Sequence, residues 1–313
     1  MDSAVRFPQN QPPLEIAAPE GYNAPVLIGA LIAFAPALQP PRLLGVAKFA
    51  FPKREIVVPV LIGGHGPYLM LLNTGTSPSV IDLKLAKRIG LKLGGSGQGQ
   101  AGGNTPNLLY ETSLPKVQVA GFSSKNVDCL ASDLSGIRRA ICRPIEGVLG
   151  DSFFSNRVVQ FDYPARRVRF YGAMPTPAGR TITLPFKHDD GEVRFGGMRV
   201  DGMPVTANLD TGSDGFFSLT PEAIRRLGLE GKVAASPGTH GGSYNGRYQS
   251  KAGRLPTIQI GSIKLSRPHV VFWLPGTGHD GNHWDVNVGN RFLQNYVVTV
   301  DYRRGLLDLR KHP

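Results

Sequence analysis

Cysteine is scarce in this sequence. Its 313 residues include two cysteines, Cys129 and Cys142. So few cysteines exclude a dense disulfide scaffold and a metal centre built from cysteine alone. The pair could close one small disulfide in an oxidising compartment, or both could be buried thiols.

Acidic residues are also few, since 23 Asp and Glu stand against 35 Lys and Arg, for a formal net charge of +12. The basic residues are scattered and form no stripe with interleaved aromatic residues, which argues against nucleic-acid binding. The charge favours attraction to anionic surfaces instead.

Long hydrophobic runs are absent except at residues 24–38, which are apolar and uncharged. Such a run is typical of the core of an export signal, although Asp2, Glu15 and Glu20 before it have the wrong charge for one. It falls short of the about 20 residues that span a membrane, so membrane association would depend on this segment alone. Export or a periplasmic location is favoured over a cytoplasmic one, and the localisation stays open.

Glycine and proline are abundant, at 39 and 26 residues, and they separate short runs rich in Val, Ile, Phe and Tyr. This composition is typical of strands joined by tight turns. The sequence therefore predicts an all-β or mostly β protein.

The sequence contains an internal repeat. Four blocks occur in the same order in both halves, the second copy of each about 140 residues after the first. The blocks begin at Asn73-Thr74-Gly75-Thr76 and Asp210-Thr211-Gly212-Ser213, Arg88 and Arg226, Leu114 and Leu255, and Gly150 and Gly289. Shared order and spacing indicate a duplication into two units, residues 46–178 and 179–313, after a disordered tail and apolar leader at residues 1–45.

One short helix is predicted in each unit. Asp82 and Thr220 are typical N-cap residues, and Pro221 suits the first helical position. Gly90 and Gly228 then end the helices as C-terminal glycines.

A glycine-rich stretch follows the helix in each unit, at residues 94–103 and 238–246. Each stretch predicts either a mobile hairpin that folds over a ligand or an ordinary flexible loop.

The repeated turns resemble those of the aspartic peptidases. An apolar strand leads into Asp210-Thr211-Gly212-Ser213, and apolar-Gly elements follow at Val148-Leu149-Gly150 and Asn287-Val288-Gly289. The resemblance covers about residues 46–313 and implies retropepsin-like units fused in tandem in a pepsin-like bilobal pairing. It implies two β-barrel lobes, a cleft between them covered by flaps, and a monomer with pseudo-twofold symmetry.

The resemblance also implies a catalytic pair, with one residue substituted. In the family, an ionised Asp takes a proton from water while a protonated Asp donates one to the peptide carbonyl. Asp210 corresponds to the base, whereas Asn73 stands at the partner position, where its amide can donate a hydrogen bond but cannot exchange a proton. Thr211 and Gly212 would orient Asp210, Ser213 would offer it a hydroxyl, and Thr74, Gly75 and Thr76 form the matching turn.

Without a second carboxylate, Asp210 is expected to titrate near the ordinary Asp value of about 3.9. Asp82 and Asp214 are near in sequence, but Asp82 is better explained as a helix cap, and Asp214 is expected to point elsewhere. The two His and two Asp at residues 279–285 are interpreted as a surface loop at the cleft rim, so no metal or cofactor is expected.

Two functions fit these features. The first is an aspartic-type peptidase that hydrolyses an extended polypeptide between the lobes, with Asp210 as base and activity weakened by Asn73. The alternative is an inactive pseudo-peptidase that binds peptides.

Overall fold

The computed structural model describes residues 41–99, 107–177, 179–188, 191–243 and 246–311. The apolar segment at residues 24–38 lies outside these residues, as do the tips of both glycine-rich stretches. Among the described helices, none is long and apolar enough to cross a membrane.

The first half of the described chain alternates strands with short helices. Its strands are β1 (Leu43–Lys48), β2 (Val57–Ile62), β3 (His65–Leu72), β4 (Ser79–Asp82), β5 (Ser96–Gly99), β6 (Asn107–Val119), β7 (Phe122–Ser132), β8 (Gly147–Leu149), β9 (Val158–Asp162) and β10 (Arg167–Tyr171). Its helices are α1 (Leu83–Arg88), α2 (Ser135–Ile141) and α3 (Asp151–Phe154). β1 thus begins within the last residues of the predicted tail.

The second half repeats this plan. Its strands are β11 (Thr181–Lys187), β12 (Arg194–Val200), β13 (Met203–Leu209), β14 (Phe217–Leu219), β15 (Gly238–Ser243), β16 (Gly246–Arg254), β17 (Thr257–Ile260), β18 (Ile263–Ser266), β19 (His269–Trp273), β20 (Val286–Val288), β21 (Tyr296–Asp301) and β22 (Leu306–Lys311). Its helices are α4 (Pro221–Arg226), α5 (Glu230–Ala234) and α6 (Asn290–Leu293).

A closed barrel forms the first lobe. Its strands run in the order β2-β3-β8-β4-β7-β6, and β6 pairs back to β2. The second lobe follows the order β12-β13-β20-β14-β19-β16-β15. Alternating apolar residues of these strands, such as Val58, Val60 and Ile62 in β2, face one continuous buried core.

A shared sheet joins the two lobes. Its order is β1-β10-β9-β21-β22-β11, with three strands from each half. β9 and β21 are its central antiparallel pair, in which Val159 faces Val300. The predicted mostly β fold with two duplicated lobes is therefore confirmed.

The helix ends follow the predicted capping residues. Asp82 accepts hydrogen bonds from the backbone N–H groups of Lys84 and Leu85 at the start of α1. Thr220 accepts one from Ala223 at the start of α4. Gly90 and Gly228 come just after these helices with φ of 71° and 64°, a region that favours glycine.

Two expectations were wrong. Each lobe has three short α-helices among its described residues instead of one, because α2, α3, α5 and α6 lack the side-chain N-cap that marks α1 and α4 in the sequence. Cys129 and Cys142 are both free, and only Cys129 is buried, so neither the disulfide nor the pair of buried thiols is correct.

Two glycines permit close backbone approach behind the signature turns. A Cβ at Gly150 would overlap the carbonyl oxygen of Thr76, and one at Gly289 would lie 2.6 Å from the carbonyl oxygen of Gly215. Thr76 O also accepts the N–H of Asp151 (2.8 Å), which fixes the turn against the start of α3. The turn that contains Thr76 therefore cannot shift toward Gly150 without a steric clash.

We expect Gly150→Ala to lower the free energy of unfolding by about 1–3 kcal/mol, the usual range for an overpacked site. Gly231→Ala is the matched control, because Gly231 lies inside α5 with open space around its Cβ position. Urea unfolding of both variants measures the difference. Equal stabilities would contradict the close approach at Gly150.

Candidate active site

Asn73 and Asp210 each follow the end of an equivalent strand in their own lobe. Asn73 follows β3, which runs parallel to β8, and its N–H donates to Leu149 O at 3.0 Å. Asp210 follows β13, which runs parallel to β20, and its N–H donates to Val288 O at 3.0 Å. The two residues therefore hold the same position in the two lobes.

Reciprocal hydrogen bonds between Thr74 and Thr211 join the two turns. The hydroxyl of Thr74 donates to Leu209 O (2.6 Å) and accepts the N–H of Thr211 (3.1 Å). The hydroxyl of Thr211 donates to Leu72 O (2.9 Å) and accepts the N–H of Thr74 (3.0 Å). Both threonines are fully buried, so these four bonds are shielded from water.

The side chains of Asn73 and Asp210 converge across this junction. A Cβ at Gly75 would lie 2.9 Å from Oδ1 of Asp210 and 3.4 Å from Oδ1 of Asn73. A Cβ at Gly212 would overlap the side-chain amide of Asn73. Each glycine thus leaves space for the polar side chain of the opposite lobe, and the structure brings the predicted pair together.

Two donors hold the carboxylate of Asp210. The N–H of Gly212 donates to Oδ1 (2.9 Å), and Nδ2 of Asn287 donates to Oδ2 (2.8 Å). Nδ2 of Asn208 donates to Oδ1 of Asn287 (2.9 Å), which sets the orientation of the Asn287 amide. Asn287 was not predicted as a site residue, although it begins the Asn287-Val288-Gly289 block.

Ser213 does not have the contact expected of it. Its hydroxyl accepts the N–H of Gly215 (3.4 Å), and the side-chain donor to Asp210 is Asn287. In the first lobe, Thr76 does contact the pair residue, since Nδ2 of Asn73 donates to its hydroxyl (2.6 Å). The two turns are therefore similar in backbone and different in side-chain contacts.

The Asn73 amide has a defined orientation. Its Oδ1 accepts the N–H of Gly75 (2.7 Å), so its Nδ2 is the atom that faces Thr76. An amide nitrogen carries two hydrogens, so one donor remains after the bond to Thr76. Asn73 can therefore donate to a ligand.

Burial raises the pKa of Asp210 above its ordinary value, and the hydrogen bonds from Asn287 and Gly212 oppose that rise. The expectation that Asp210 has an ordinary pKa was therefore wrong, because its pKa is raised. It considered only the missing like charge and left out the loss of hydration around a carboxylate at the base of a cleft.

The cleft around the pair has a volume of about 550 Å³. Both walls mix polar and apolar residues, with aliphatic side chains on the first-lobe side and aromatic rings on the second-lobe side. The aliphatic residues are Val80, Leu109, Leu130 and Ile141, and the aromatic ones are Tyr248, Trp273, His279 and Trp284. Apolar side chains of a bound chain could pack on both walls.

The β15–β16 hairpin of the second glycine-rich stretch borders this cleft through Gly241, Gly242 and Tyr248. In the first lobe, β5 and β6 form the matching hairpin, and Leu109 of β6 reaches the cleft. These positions beside the cleft favour the prediction of ligand-covering hairpins over that of ordinary flexible loops.

The His279 loop lies at the cleft, where its rings pack on aromatic neighbours. The His279 ring stacks on Trp273 with ring centroids 3.7 Å apart, and burial lowers the pKa of His279 to about 4. Asp280 accepts the N–H of Gly276 (2.8 Å), and Asp285 pairs with Arg226 (2.7 Å). Across the residues described, no group of three or more His, Cys, Asp or Glu could hold a metal ion.

The other two acids considered from sequence differ in position. Asp82 is buried, caps α1 and pairs with Arg138 (3.0 Å), as its assignment to a structural role predicted. Asp214 is exposed and lines the same cleft as Asp210, so it does not point away from the site.

The fold and site define a duplicated, bilobal β protein in which two strand-turn elements face each other at the base of a cleft. The sequence model described as aspartyl protease matches residues 58–153 and again residues 196–282, together more than half of the chain. The chain belongs to the aspartyl protease family, and the two matches confirm its tandem retropepsin-like units. A search among curated proteins found no match.

Thr74→Val should destabilise the protein, because it leaves Leu209 O and the N–H of Thr211 buried without partners. We expect a loss of about 1–3 kcal/mol for each such group, measured by urea unfolding. Thr112→Val is the control, since the Thr112 hydroxyl makes one exposed bond to Lys92 O. A loss no larger than that of the control would contradict the role of the junction.

Asp210 should also affect stability as a function of pH. Because its pKa is raised in the folded state, the unfolded chain ionises first as pH rises. Its stabilising contribution is full below the unfolded value of about 3.9 and is lost as pH rises through the folded value. Asp210→Asn removes this loss, so we expect the variant to gain stability over the wild type across that window. A difference in unfolding free energy that stays constant from about pH 3 to 7 would contradict the raised pKa.

Proposed function

We propose that this protein is an aspartic-type peptidase that hydrolyses peptide bonds of an extended polypeptide bound between its lobes. The observation that carries this proposal is the convergence of Asp210 and Asn73 at the base of a cleft with walls from both lobes. The site is completed within one chain, which supports action as a pseudo-symmetric monomer.

Asp210 has the contacts of a general base. The bonds from Gly212 and Asn287 stabilise its ionised form and fix its orientation. Burial raises its pKa, which makes the carboxylate a better proton acceptor once it is ionised. In this proposal Asp210 takes a proton from a water molecule as the water oxygen attacks the peptide carbonyl carbon.

Asn73 contributes a hydrogen bond without contributing a proton. Its remaining amide hydrogen stabilises the negative charge that develops on the carbonyl oxygen. The family chemistry needs a proton donor as well, and an amide does not serve as one at ordinary pH. This lack favours the second candidate, a peptide-binding module in which the cleft is retained and hydrolysis is lost.

One assay separates the two functions. A diverse peptide library is incubated with the purified protein from about pH 3 to 7, beside Asp210→Ala and Asn73→Asp. For a peptidase we expect cleavage by the wild type and a loss of at least about 10² in rate in Asp210→Ala. Cleavage that appears only in Asn73→Asp, with peptide binding by the wild type, would identify the binding module. Cleavage that persists in Asp210→Ala would overturn the proposed role of Asp210.

A further inference from the structure

A glutamate lies beside Asn73 on the neighbouring strand. The antiparallel pairing of β2 with β3 continues past the end of β2, because the N–H of Leu72 donates to Ile56 O at 2.9 Å. Continuing this register by one step pairs Glu55, which precedes Ile56, with Asn73, which follows Leu72. Residues opposite each other in an antiparallel pair project to the same face, with Cβ atoms about 4.5–5.5 Å apart. Glu55 therefore lies next to the residue that replaces the second aspartate.

The segment that carries Glu55 is also tied to the turn of Asp210. Nδ2 of Asn290 donates to Arg54 O and to Thr211 O, each at 2.7 Å. One side chain thus holds together the residues that adjoin Glu55 and Asp210. Both carboxyl groups line the same cleft.

The carboxyl group of Glu55 is buried and has an unused oxygen. The residue is 8% exposed, and its Oε2 has no hydrogen-bond partner among the described residues. Burying an ionised carboxylate in this condition costs much more free energy than burying a protonated carboxyl group. The burial therefore favours the form that can donate a proton.

The negative charges around Glu55 act in the same direction. Burial, followed by the negative charges of Asp210 and Asp214, raises the pKa of Glu55 well above its usual value. Lys53 also lines the cleft, and its positive charge opposes this rise. Burial, followed by the charges of Glu55 and Asp210, raises the pKa of the neighbouring Tyr163. The two acids thus have different environments, since Asp210 receives two hydrogen bonds that favour its ionised form.

The equivalent glutamate of the second lobe, Glu192, accepts a hydrogen bond from a neighbouring side chain. Glu192 lies opposite Asp210 by the same register, since the N–H of Leu209 donates to Val193 O at 3.0 Å. Nε1 of Trp284 donates to Oε2 of Glu192 at 2.7 Å.

The matching position in the first lobe is Ile145, which has no polar side-chain atom. It precedes Glu146, whose carbonyl oxygen accepts the N–H of Asp82, just as Asp285 follows Trp284 and accepts the N–H of Thr220. The duplicated glutamates have therefore diverged: one is held by an indole N–H, and the other is left with a buried oxygen in the cleft.

We propose that Glu55 is the second catalytic acid of this site and supplies the proton that an aspartate at position 73 would have supplied. This inference rests on the proposed peptidase function. Asn73 then keeps the position of the missing acid and donates a hydrogen bond, while the proton comes from the adjacent strand.

The proton transfers balance over one cycle. Asp210 takes a proton from water, the water oxygen bonds to the carbonyl carbon, and Glu55 protonates the carbonyl oxygen to give a tetrahedral diol. As the C–N bond breaks, the leaving nitrogen takes the proton from Asp210, and one diol hydroxyl returns its proton to Glu55. Asp210 ends ionised and Glu55 ends protonated, as at the start, with one water consumed.

Glu55→Gln tests this role with little change in shape. We expect kcat to fall by about 10²–10⁴ with KM little changed, because the variant keeps the cleft and loses the proton. The wild-type rate should fall on the alkaline side as Glu55 ionises, and the residual rate of the variant should lack that limb. Glu55→Asp, which keeps a carboxyl group, should retain more activity than Glu55→Gln. Glu230→Gln changes an exposed glutamate on α5 and should leave the rate unchanged.

A rescue experiment separates loss of the acid from structural damage. Asn73→Asp in the Glu55→Gln background restores a carboxyl group beside Asp210 and should restore cleavage. A damaged cleft would not respond to this second change. Failure of the rescue, with Glu55→Gln folded and inactive, would overturn the assignment of Glu55 as proton donor.

Difference infrared spectroscopy gives a measurement that does not depend on turnover. In the wild type, a protonated carboxyl band should persist to a pH well above the ordinary Glu pKa of about 4.3, and this band should be absent from Glu55→Gln. In Asp210→Asn the band should be lost at a lower pH than in the wild type, because the charge that helps to keep Glu55 protonated is gone.

The outcomes distinguish the two proposals. Wild-type cleavage that is lost in Asp210→Ala but kept with the same pH profile in Glu55→Gln would overturn the role of Glu55 and leave the peptidase intact. Absence of cleavage in the wild type and in every variant would overturn the peptidase proposal and the role of Glu55 with it.

Discussion

The reciprocal hydrogen bonds between Thr74 and Thr211 are the constraint on which the rest of the site depends. They join the two turns through buried hydroxyl groups, and each hydroxyl also satisfies a carbonyl oxygen at the end of the opposite lobe's strand. Because the groups are shielded from water, separating the turns would leave several of them without partners. The cleft and the convergence of Asn73 with Asp210 depend on this junction staying closed.

Around this symmetric junction, the two halves have diverged in their side chains. Asp210 is held by Asn287 from the neighbouring strand, whereas Asn73 is held by Thr76 within its own turn. Glu192 accepts a hydrogen bond from Trp284, whereas the buried Oε2 of Glu55 has no hydrogen-bond partner among the described residues. A duplicated backbone thus gives the two lobes equal geometry and unequal electrostatics, which is the condition under which two acids take different protonation states.

Sequence reasoning succeeded where the physical cause is local. The caps at Asp82 and Thr220 and the glycines that end α1 and α4 depend on a few neighbouring residues, and the repeat is visible as matched blocks. It failed where the cause is distant. Asn287 reaches Asp210 only because β20 runs beside β13. The pKa of Asp210 depends on burial, and the separate environments of Cys129 and Cys142 depend on how β7 and α2 pack.

The amino-acid sequence by itself determined the duplication, the mostly β fold and the substitution of Asn73 for a second aspartate, because order, periodicity and residue type suffice for these. Only the tertiary structure decided which groups share the cleft. Glu55 precedes Asn73 by many residues and belongs to no signature motif, yet the antiparallel register of β2 and β3 sets them side by side. Burial is a property of packing, so the proton-donating character of that carboxyl group arises only in the folded chain.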